Sequence, residues 1–304
     1  MGENGIQCVL DLCNRMYRSG QLPEYFLSSI FVTMPKRPRA VECREHRTMS
    51  LISHACKILL NIIHSRIKVK VDSHLSEEQN GFRKGKGTRE SIFSLRVLSE
   101  RAWQMQKDIY VCFVDFEKAF DRVYHGKLVK ILEKIGIDMA DIRIIESLYW
   151  KQSAVVNIKG EYTRSFKVKT GVRQGCVLSP ILYNIYSEFM MREVLSHKLG
   201  IKVNGEVVSS IRYADDTALL AESEQELQDV VTKLSVLGGE YGLKVNKLKT
   251  KVMVISKQTP VPRVNIVIEG MQLKQVEEFT YLGSLITSDS RCEREVRRRI
   301  SLAK

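Results

Sequence analysis

The chain has 304 residues, 44% of them hydrophobic, and carries 48 Lys and Arg against 35 Asp and Glu for a net charge of +13. That composition excludes a wholly disordered chain, and the length suits two globular units or one large lobed one. The excess charge favours a polyanionic partner, and no apolar run approaches the ~20 residues that a membrane span needs.

The charge is unevenly spread. Residues 1–107 hold 18 basic and 10 acidic side chains, residues 108–256 hold 21 and 19, and residues 257–304 hold 9 and 6. Seven scattered cysteines include no CxxC pair, so they read as reduced packing residues rather than a disulfide framework or a zinc site. The N-terminus lacks the charged-then-apolar pattern of a signal peptide. An intracellular protein of the cytoplasm or nucleus, with no membrane partner, is the expectation.

In chain order, residues 1–30 read as a helix followed by a loop, punctuated by Gly20 and Pro23. Residues 35–47 form a basic, proline-broken segment. A helix follows Ser53, with Ile58, Leu59, Ile62, Ile63 and Ile67 on one face. After the glycine-spaced basic stretch Gly81–Arg89, a second helix runs through Ile92, Leu95, Leu98 and Trp103. Tyr110–Phe116 is short and almost wholly apolar, the pattern of a strand buried on both faces, and Asp115 sits near its end. An amphipathic helix through Val123, Leu128, Ile131, Leu132 and Ile135 ends at Gly136. Residues 154–169 alternate about Lys159-Gly160 and read as a hairpin. Ser179-Pro180 reads as an N-cap and first helical position, opening a helix with Leu182, Ile185, Tyr186, Phe189 and Met190. Asn204-Gly205 is a hairpin turn, and Ser209–Ala221 reads as strand, tight turn, strand with Asp215-Asp216 at the turn. Ser223-x-x-Glu226 forms a capping box before Leu227, Val230, Val231 and Leu234. Short strands follow around Val252–Ile255 and Val264–Ile268. Ser290-x-x-Glu293 caps a last basic helix, in which the chain stops as if cut. The whole reads as α+β: an antiparallel sheet with packed helices, preceded by a helical basic lobe.

The carboxylates carry the chemistry. Asp115 ends a buried strand, and Asp215 and Asp216 crowd a tight turn 100 residues on. Either feature alone reads as solvated surface. Adjacent carboxylates at the tip of an apolar hairpin are costly unless their charge is cancelled, and a divalent cation is the natural solution. If the strands pair, Asp115 and Asp215 can bridge two Mg²⁺ ions ~3.5–4 Å apart, the geometry for in-line phosphoryl transfer.

Five segments then fall in order. They are Phe113-Val114-Asp115-Phe116-Glu117-Lys118-Ala119-Phe120-Asp121; Gly171-Val172-Arg173-Gln174-Gly175-Cys176-Val177-Leu178-Ser179-Pro180; Tyr213-Ala214-Asp215-Asp216; Gly242-Leu243-Lys244-Val245-Asn246 through Lys249-Thr250-Lys251; and Phe279-Thr280-Tyr281-Leu282-Gly283. Together they resemble the palm and primer-grip motifs of the reverse transcriptase family of retrotransposons lacking long terminal repeats. Upstream, Arg47-Thr48-Met49-Ser50-Leu51 and Gln79-Asn80-Gly81-Phe82-Arg83-Lys84-Gly85 resemble its fingers motifs, with Thr48-Met49 standing where the family has Pro-Ile.

The resemblance implies a right-hand polymerase fold with an antiparallel palm sheet and a mixed fingers lobe. Residues 1–107 would form an N-terminal extension and fingers, 108–256 the palm with interleaved fingers segments, and 257–304 the primer grip and the start of a thumb. It implies an RNA-directed DNA polymerase that extends a DNA primer on an RNA template with dNTPs, using two Mg²⁺ ions for which Mn²⁺ can substitute. Asp115, Asp215 and Asp216 would hold the metals with the Phe116 carbonyl. Lys249 would protonate pyrophosphate, although Lys247 and Lys251 stand close by. Phe120 would exclude a ribose 2′-hydroxyl, Gln174 and Gly175 would lie against the new base pair, and Arg47 and Arg83 would grip the triphosphate. Tyr281, Leu282 and Gly283 would touch the primer. Before Phe31 there is no room for an endonuclease, no zinc-ligand spacing appears, and the thumb has only its first helix. Two other readings stand beside this one: a catalytically quiet, host-retained nucleic-acid-binding descendant, and an RNA-directed RNA polymerase.

Overall fold

Ile30, Phe31, Val32 and Thr33 are β-branched or aromatic, and they form a strand, Ser28–Pro35, where the sequence reads as loop and basic segment. The computed structural model describes residues 2–195 and 199–303. These residues fall into two units, one of residues 1–75 with 120–186, the other of residues 76–119 with 187–304.

In the first unit, Ser28–Pro35 pairs antiparallel with His46–Leu51 (Ile30 opposite Leu51) and parallel with Ser153–Ile158 (Ser28 opposite Ser153). The basic segment is therefore the loop of a hairpin. Lys159 and Gly160, at φ 53° and 96°, turn the chain tightly into Glu161–Tyr162. Helix His54–Asp72 is capped by the Ser53 hydroxyl, which accepts from the Cys56 amide at 3.2 Å. Its buried face is Cys56, Leu59, Leu60, Ile63, Ile67 and Val71. Ile58 and Ile62 are exposed, against the sequence expectation, because they lie one residue (~100°) round from the Leu59–Ile63–Ile67 row.

Two helix boundaries also shift. Ala119–Arg122 is a 3₁₀ turn, Val123 lies between elements, and the helix begins only at His125, ending at Lys134 before Gly136 (φ 73°). The helix expected to open at Ser179 spans Leu178–Val194, so Ser179 is inside it. Its hydroxyl donates to the Arg173 carbonyl at 2.6 Å instead of capping. Helix Met139–Trp150, unread in the sequence, is capped by Asp138 and buries Ile142, Ile144, Ile145, Leu148 and Tyr149.

Gly171 shows how tightly this unit is built. Its φ is 93°, and a Cβ there would lie 2.7 Å from both the Cα and the carbonyl oxygen of Asp121. Gly171→Ala combines left-handed strain with overpacking against backbone. A loss of about 2–4 kcal/mol is expected in urea unfolding, and a change below ~0.5 kcal/mol would contradict this packing.

The second unit is built on a sheet of five strands, in the order Lys274–Gln275, Lys251–Ile255, Ile109–Val114, Asp216–Ala221, Ser210–Tyr213. All pairings are antiparallel except that of the two-residue edge strand Lys274–Gln275. The apolar strand Ile109–Val114 is central and its side chains are buried on both faces of the sheet, which is why its sequence shows no polar alternation. Ile109, Val111 and Phe113 share a core with Ala218, Leu220 and Met253. Helix Thr88–Gln104 contributes Leu95 and Ala102 to that core. Helix Glu224–Glu240 packs on the strands Ile109–Val114 and Asp216–Ala221, with Ser223 capping through the Glu226 amide. Asn204 and Gly205, at φ 49° and 86°, turn the hairpin Ile201–Val203/Glu206–Val208 as read.

The last helix is Glu293–Ala303, and Ser290 does not cap it: Ser290 stands at φ 56° and its hydroxyl has no hydrogen-bond partner. The helix is held through Glu295, whose carboxylate accepts from the Leu285 amide (3.0 Å), Arg298 Nε (2.8 Å) and Arg299 Nε (2.8 Å). Burial opposes ionisation of Glu295, but these hydrogen bonds prevail and hold its carboxyl at about 2. No helix among the described residues is long and apolar enough to cross a membrane.

Candidate active site

Where the central strand ends, the chain 244–250 grips the backbone of Asp115. The Asp115 carbonyl accepts from the Asn246 amide (2.7 Å), its amide donates to Thr250 Oγ1 (3.2 Å), and the Glu117 amide donates to the Lys244 carbonyl (2.8 Å). Phe116, its side chain buried, bridges Val245 between those bonds. With the backbone fixed this way, the Asp115 carboxylate remains for other work.

Across the sheet, Tyr213 pairs with Asp216 and the turn between them is Ala214-Asp215, with Ala214 at φ 57°. Thr217 is opposite Val114, so extending the register by one residue sets Asp216 beside Asp115. Both line a cavity of about 380 Å³ together with Phe113, Thr217, Lys249 and Tyr281. Asp215, half-buried, follows on the same turn. The structure thus brings the two acidic segments together.

Asp115 Oδ2 is buried, accepts no hydrogen bond, and lies 3.7 Å from Lys249 Nζ. Of the three neighbouring lysines, Lys247 pairs with Glu269 at 2.6 Å and Lys251 donates to the Leu248 carbonyl, so only Lys249 among them faces the carboxylate. A carboxylate oxygen without a donor, next to a second carboxylate on the adjoining strand, is a donor set that fits a hard divalent cation. Among the described residues no group of three or more His, Cys, Asp or Glu forms a ready-made metal cage. Mg²⁺ sites that recruit substrate phosphates need only one or two carboxylates, so the fit stands.

One wall of the cavity is the hairpin Glu278–Tyr281/Ser284–Thr287, turned by Leu282 (φ 48°) and Gly283 (φ 81°). Phe279 stacks on Phe113 at 4.3 Å and 15°. The buried Tyr281 hydroxyl donates to the Ile211 carbonyl at 3.0 Å, and the Asp216 carbonyl is 3.4 Å away. Burial pushes that phenol far up, so it stays a donor. The Gly283 carbonyl accepts from Arg298 Nη2 (2.6 Å) and Arg299 Nη2 (2.8 Å), tying the turn to the last helix.

Arg47, Phe120, Gln174 and Gly175 belong to the other unit and group there. Arg47 is exposed on the strand His46–Leu51. The Ser50 amide of that strand donates to the Gln174 carbonyl at 2.8 Å, and Gln174 Nε2 donates to Asp121 Oδ1 at 2.9 Å. Gly175 is exposed at φ 95°, the backbone left bare for close approach. Phe120 stacks on Tyr183 at 4.5 Å and 16°. Arg83, by contrast, is turned inward in the second unit, with Nη1 donating to the carbonyls of Ser76 (2.8 Å) and Gln79 (3.1 Å).

Sequence reasoning missed several supporting residues. Thr250 and Asp121 lay inside the quoted segments, so their motif was the available signal. The buried pair Arg212 and Glu188, with Arg212 Nη1 3.1 Å from Glu188 Oε2, sits just before the acidic turn and had none.

Residues 34–286 match the protein family described as reverse transcriptase (RNA-dependent DNA polymerase). Similar curated proteins include the retrovirus-related Pol polyprotein from type-1 retrotransposable element R2 of Nasonia vitripennis, 26% identical over 296 residues. The match covers 93% of this chain and 28% of that protein. The RNA-directed DNA polymerase from mobile element jockey of Drosophila melanogaster is 24% identical over 292 residues, covering 92% of this chain and 31% of that protein. The chain thus spans under a third of the length of these relatives. Among solved structures, apo telomerase from Candida tropicalis, truncated from its C-terminal domain, superposes with a TM-score of 0.63 at 16% identity. That superposition covers 91% of this chain and 58% of the other, a likeness of fold.

Proposed function

This chain belongs to the reverse transcriptase family, and from that premise we propose that it is an RNA-directed DNA polymerase, extending a DNA primer on an RNA template with dNTPs. The observation that carries the reading is the cavity in which Asp115 and Asp216 meet across the Val114–Thr217 register, with Lys249 3.7 Å from Asp115. The fold is α+β of the right-hand polymerase kind. In this reading residues 108–256 supply the palm, 1–107 the fingers, and 257–304 the primer grip and thumb start.

Asp115, Asp215, Asp216 and the Phe116 carbonyl would hold two divalent cations, Mg²⁺ or its substitute Mn²⁺. When bound, these ions lower the pKa of the attacking hydroxyl and neutralise charge on the phosphates. The other roles belong to the chain's own residues. Lys249 is poised beside Asp115 to protonate the departing pyrophosphate. Gln174, oriented by Asp121, presents its face to the nascent base pair, and Gly175 lets backbone approach it. Phe120, held flat against Tyr183, is a stiff barrier to a 2′-hydroxyl. Arg47 offers a guanidinium fork to the triphosphate. Because Tyr281 is buried, primer contact falls to the Leu282-Gly283 turn that it anchors. An activity in the cytoplasm or nucleus is in keeping with the free cysteines.

Primer extension on poly(rA)·oligo(dT) with Mg²⁺ tests the proposal. Extension by the chain, lost on chelation with EDTA and restored by added Mg²⁺ or Mn²⁺, is the expected result. No extension under either metal would overturn it in favour of the quiet nucleic-acid-binding descendant.

A further inference from the structure

The segment Gln79-Asn80-Gly81-Phe82-Arg83 has a basic sequence, yet its hydrogen bonds run inward to the acidic turn. Gln79 is fully buried. Its Oε1 accepts from the Ala214 amide and from the Gly81 amide, each at 2.9 Å, and its Nε2 donates to the Ala214 carbonyl at 3.4 Å. One carboxamide therefore answers both backbone polar groups of the residue that precedes Asp215.

The surrounding chain supports this grip. The Arg212 amide donates to the Glu78 carbonyl (2.9 Å) and the Asn80 amide to the Arg212 carbonyl (2.8 Å), so residues 78–80 run beside Ser210–Tyr213 up to the point where the turn begins. At Gly81 a Cβ would lie 2.3 Å from the Ala214 nitrogen, so only glycine lets the loop press this close. Asn80 Nδ2 donates to Ser91 Oγ at 3.0 Å, anchoring the loop to helix Thr88–Gln104. Arg83 closes the loop through the Ser76 and Gln79 carbonyls. Ala214 itself stands at φ 57°, a conformation that a non-glycine residue keeps only when its surroundings impose it.

We infer that Gln79 is a positioning residue: its buried carboxamide locks the backbone of Ala214 in the left-handed conformation and so sets where the carboxylates of Asp215 and Asp216 stand relative to Asp115. Arg83 serves the same loop as its brace. Gln79 supplies from one side chain both the acceptor and the donor that the two backbone groups of Ala214 require. The inference rests on the reading of the three aspartates as the cation-holding group.

The test uses the full chain and Mn²⁺ alone as the probe, with free Mn²⁺ followed by electron paramagnetic resonance. Wild type, Gln79→Met and Asp115→Asn are compared, and hydrogen exchange is measured on the same samples. Methionine keeps the length and bulk of glutamine and offers no strong hydrogen bond. Gln79→Met is expected to weaken Mn²⁺ binding about tenfold, the usual scale for a residue that orients metal ligands. Exchange should quicken in the peptide covering residues 210–221 and stay unchanged over Ile109–Val114. If Asp115→Asn binds Mn²⁺ as tightly as wild type, the metal reading falls and the inference with it. If Asp115→Asn is weakened while Gln79→Met binds like wild type, the inference alone is overturned. Exchange that quickens throughout the sheet in Gln79→Met also overturns it, since the residue would then be a general support rather than a holder of the turn.

Discussion

Asp115→Asn abolishes primer extension: the expected fall is at least ~10³-fold, with the fold intact. Asparagine has the same shape, and the bonds that fix residue 115 run through its backbone to Asn246 and Thr250, which the substitution leaves alone. What disappears is the negative charge of an oxygen that accepts no hydrogen bond and lies 3.7 Å from the Lys249 ammonium, beside the second carboxylate of Asp216. Metal-assisted charge stabilisation amounts to several kcal/mol, and ~4 kcal/mol corresponds to about 10³ in rate. Single-turnover extension with saturating dNTP measures this without interference from product release. A variant retaining a tenth of the wild-type rate would show that Asp115 does not hold the reacting ions.

Arg212→Met should produce the largest loss of stability, about 3–5 kcal/mol. Arg212 and Glu188 are almost fully buried, and their ion pair spans 3.1 Å. Glu188 keeps a second partner in Arg192 Nε at 3.1 Å, but that arginine is half exposed and cannot replace a buried cation. Glu78 Oε2, 3.8 Å from Arg212 Nη2, loses its cationic neighbour as well, keeping the Ser210 hydroxyl as a donor. Removing one member of such a group strands the other charge in a poorly solvating interior. Replacing both, Arg212→Met with Glu188→Leu, should recover most of the loss, because the stranded charge goes too. Guanidinium unfolding of the two variants checks the pair of outcomes. A double variant no better than the single would place the cost in packing instead.

The parts of the fold visible in the sequence were those with local causes. Asn204-Gly205 and Lys159-Gly160 turn hairpins because their residues accept positive φ, and Ile109–Val114 is apolar throughout because both of its faces are buried. The acidic turn followed from its own strand pattern. The parts not visible depend on partners far along the chain. Ser28–Pro35 becomes a strand through His46–Leu51 and Ser153–Ile158, and the outer stripe of Met139–Trp150 begins and ends on the exposed apolar residues Met139 and Trp150, which blurs its polar face. Ser179 and Ser290 match capping patterns, but one lies a residue inside its helix and the other sits at φ 56°, where backbone direction overrides composition. In the site, carboxylates and lysine were legible by residue type. That Arg83 points inward and Gln79 holds the turn was not, since a charged or polar side chain reads as solvated and the partner of Gln79 lies 135 residues away.

The parallel pairing of Ser28–Pro35 with Ser153–Ile158 bears on how the chain is made. Their paired residues Ser28 and Ser153 lie 125 positions apart. At the ~5–20 residues per second of ribosomal synthesis, the later strand leaves the ribosome about 6–25 s after the earlier one. Throughout that interval Ser28–Pro35 has a partner on one side, His46–Leu51, and a bare row of amides and carbonyls on the other. Such an edge is a template for a neighbouring nascent chain on the same polysome. The open edge of Ser28–Pro35 is therefore where aggregation during synthesis is expected to begin.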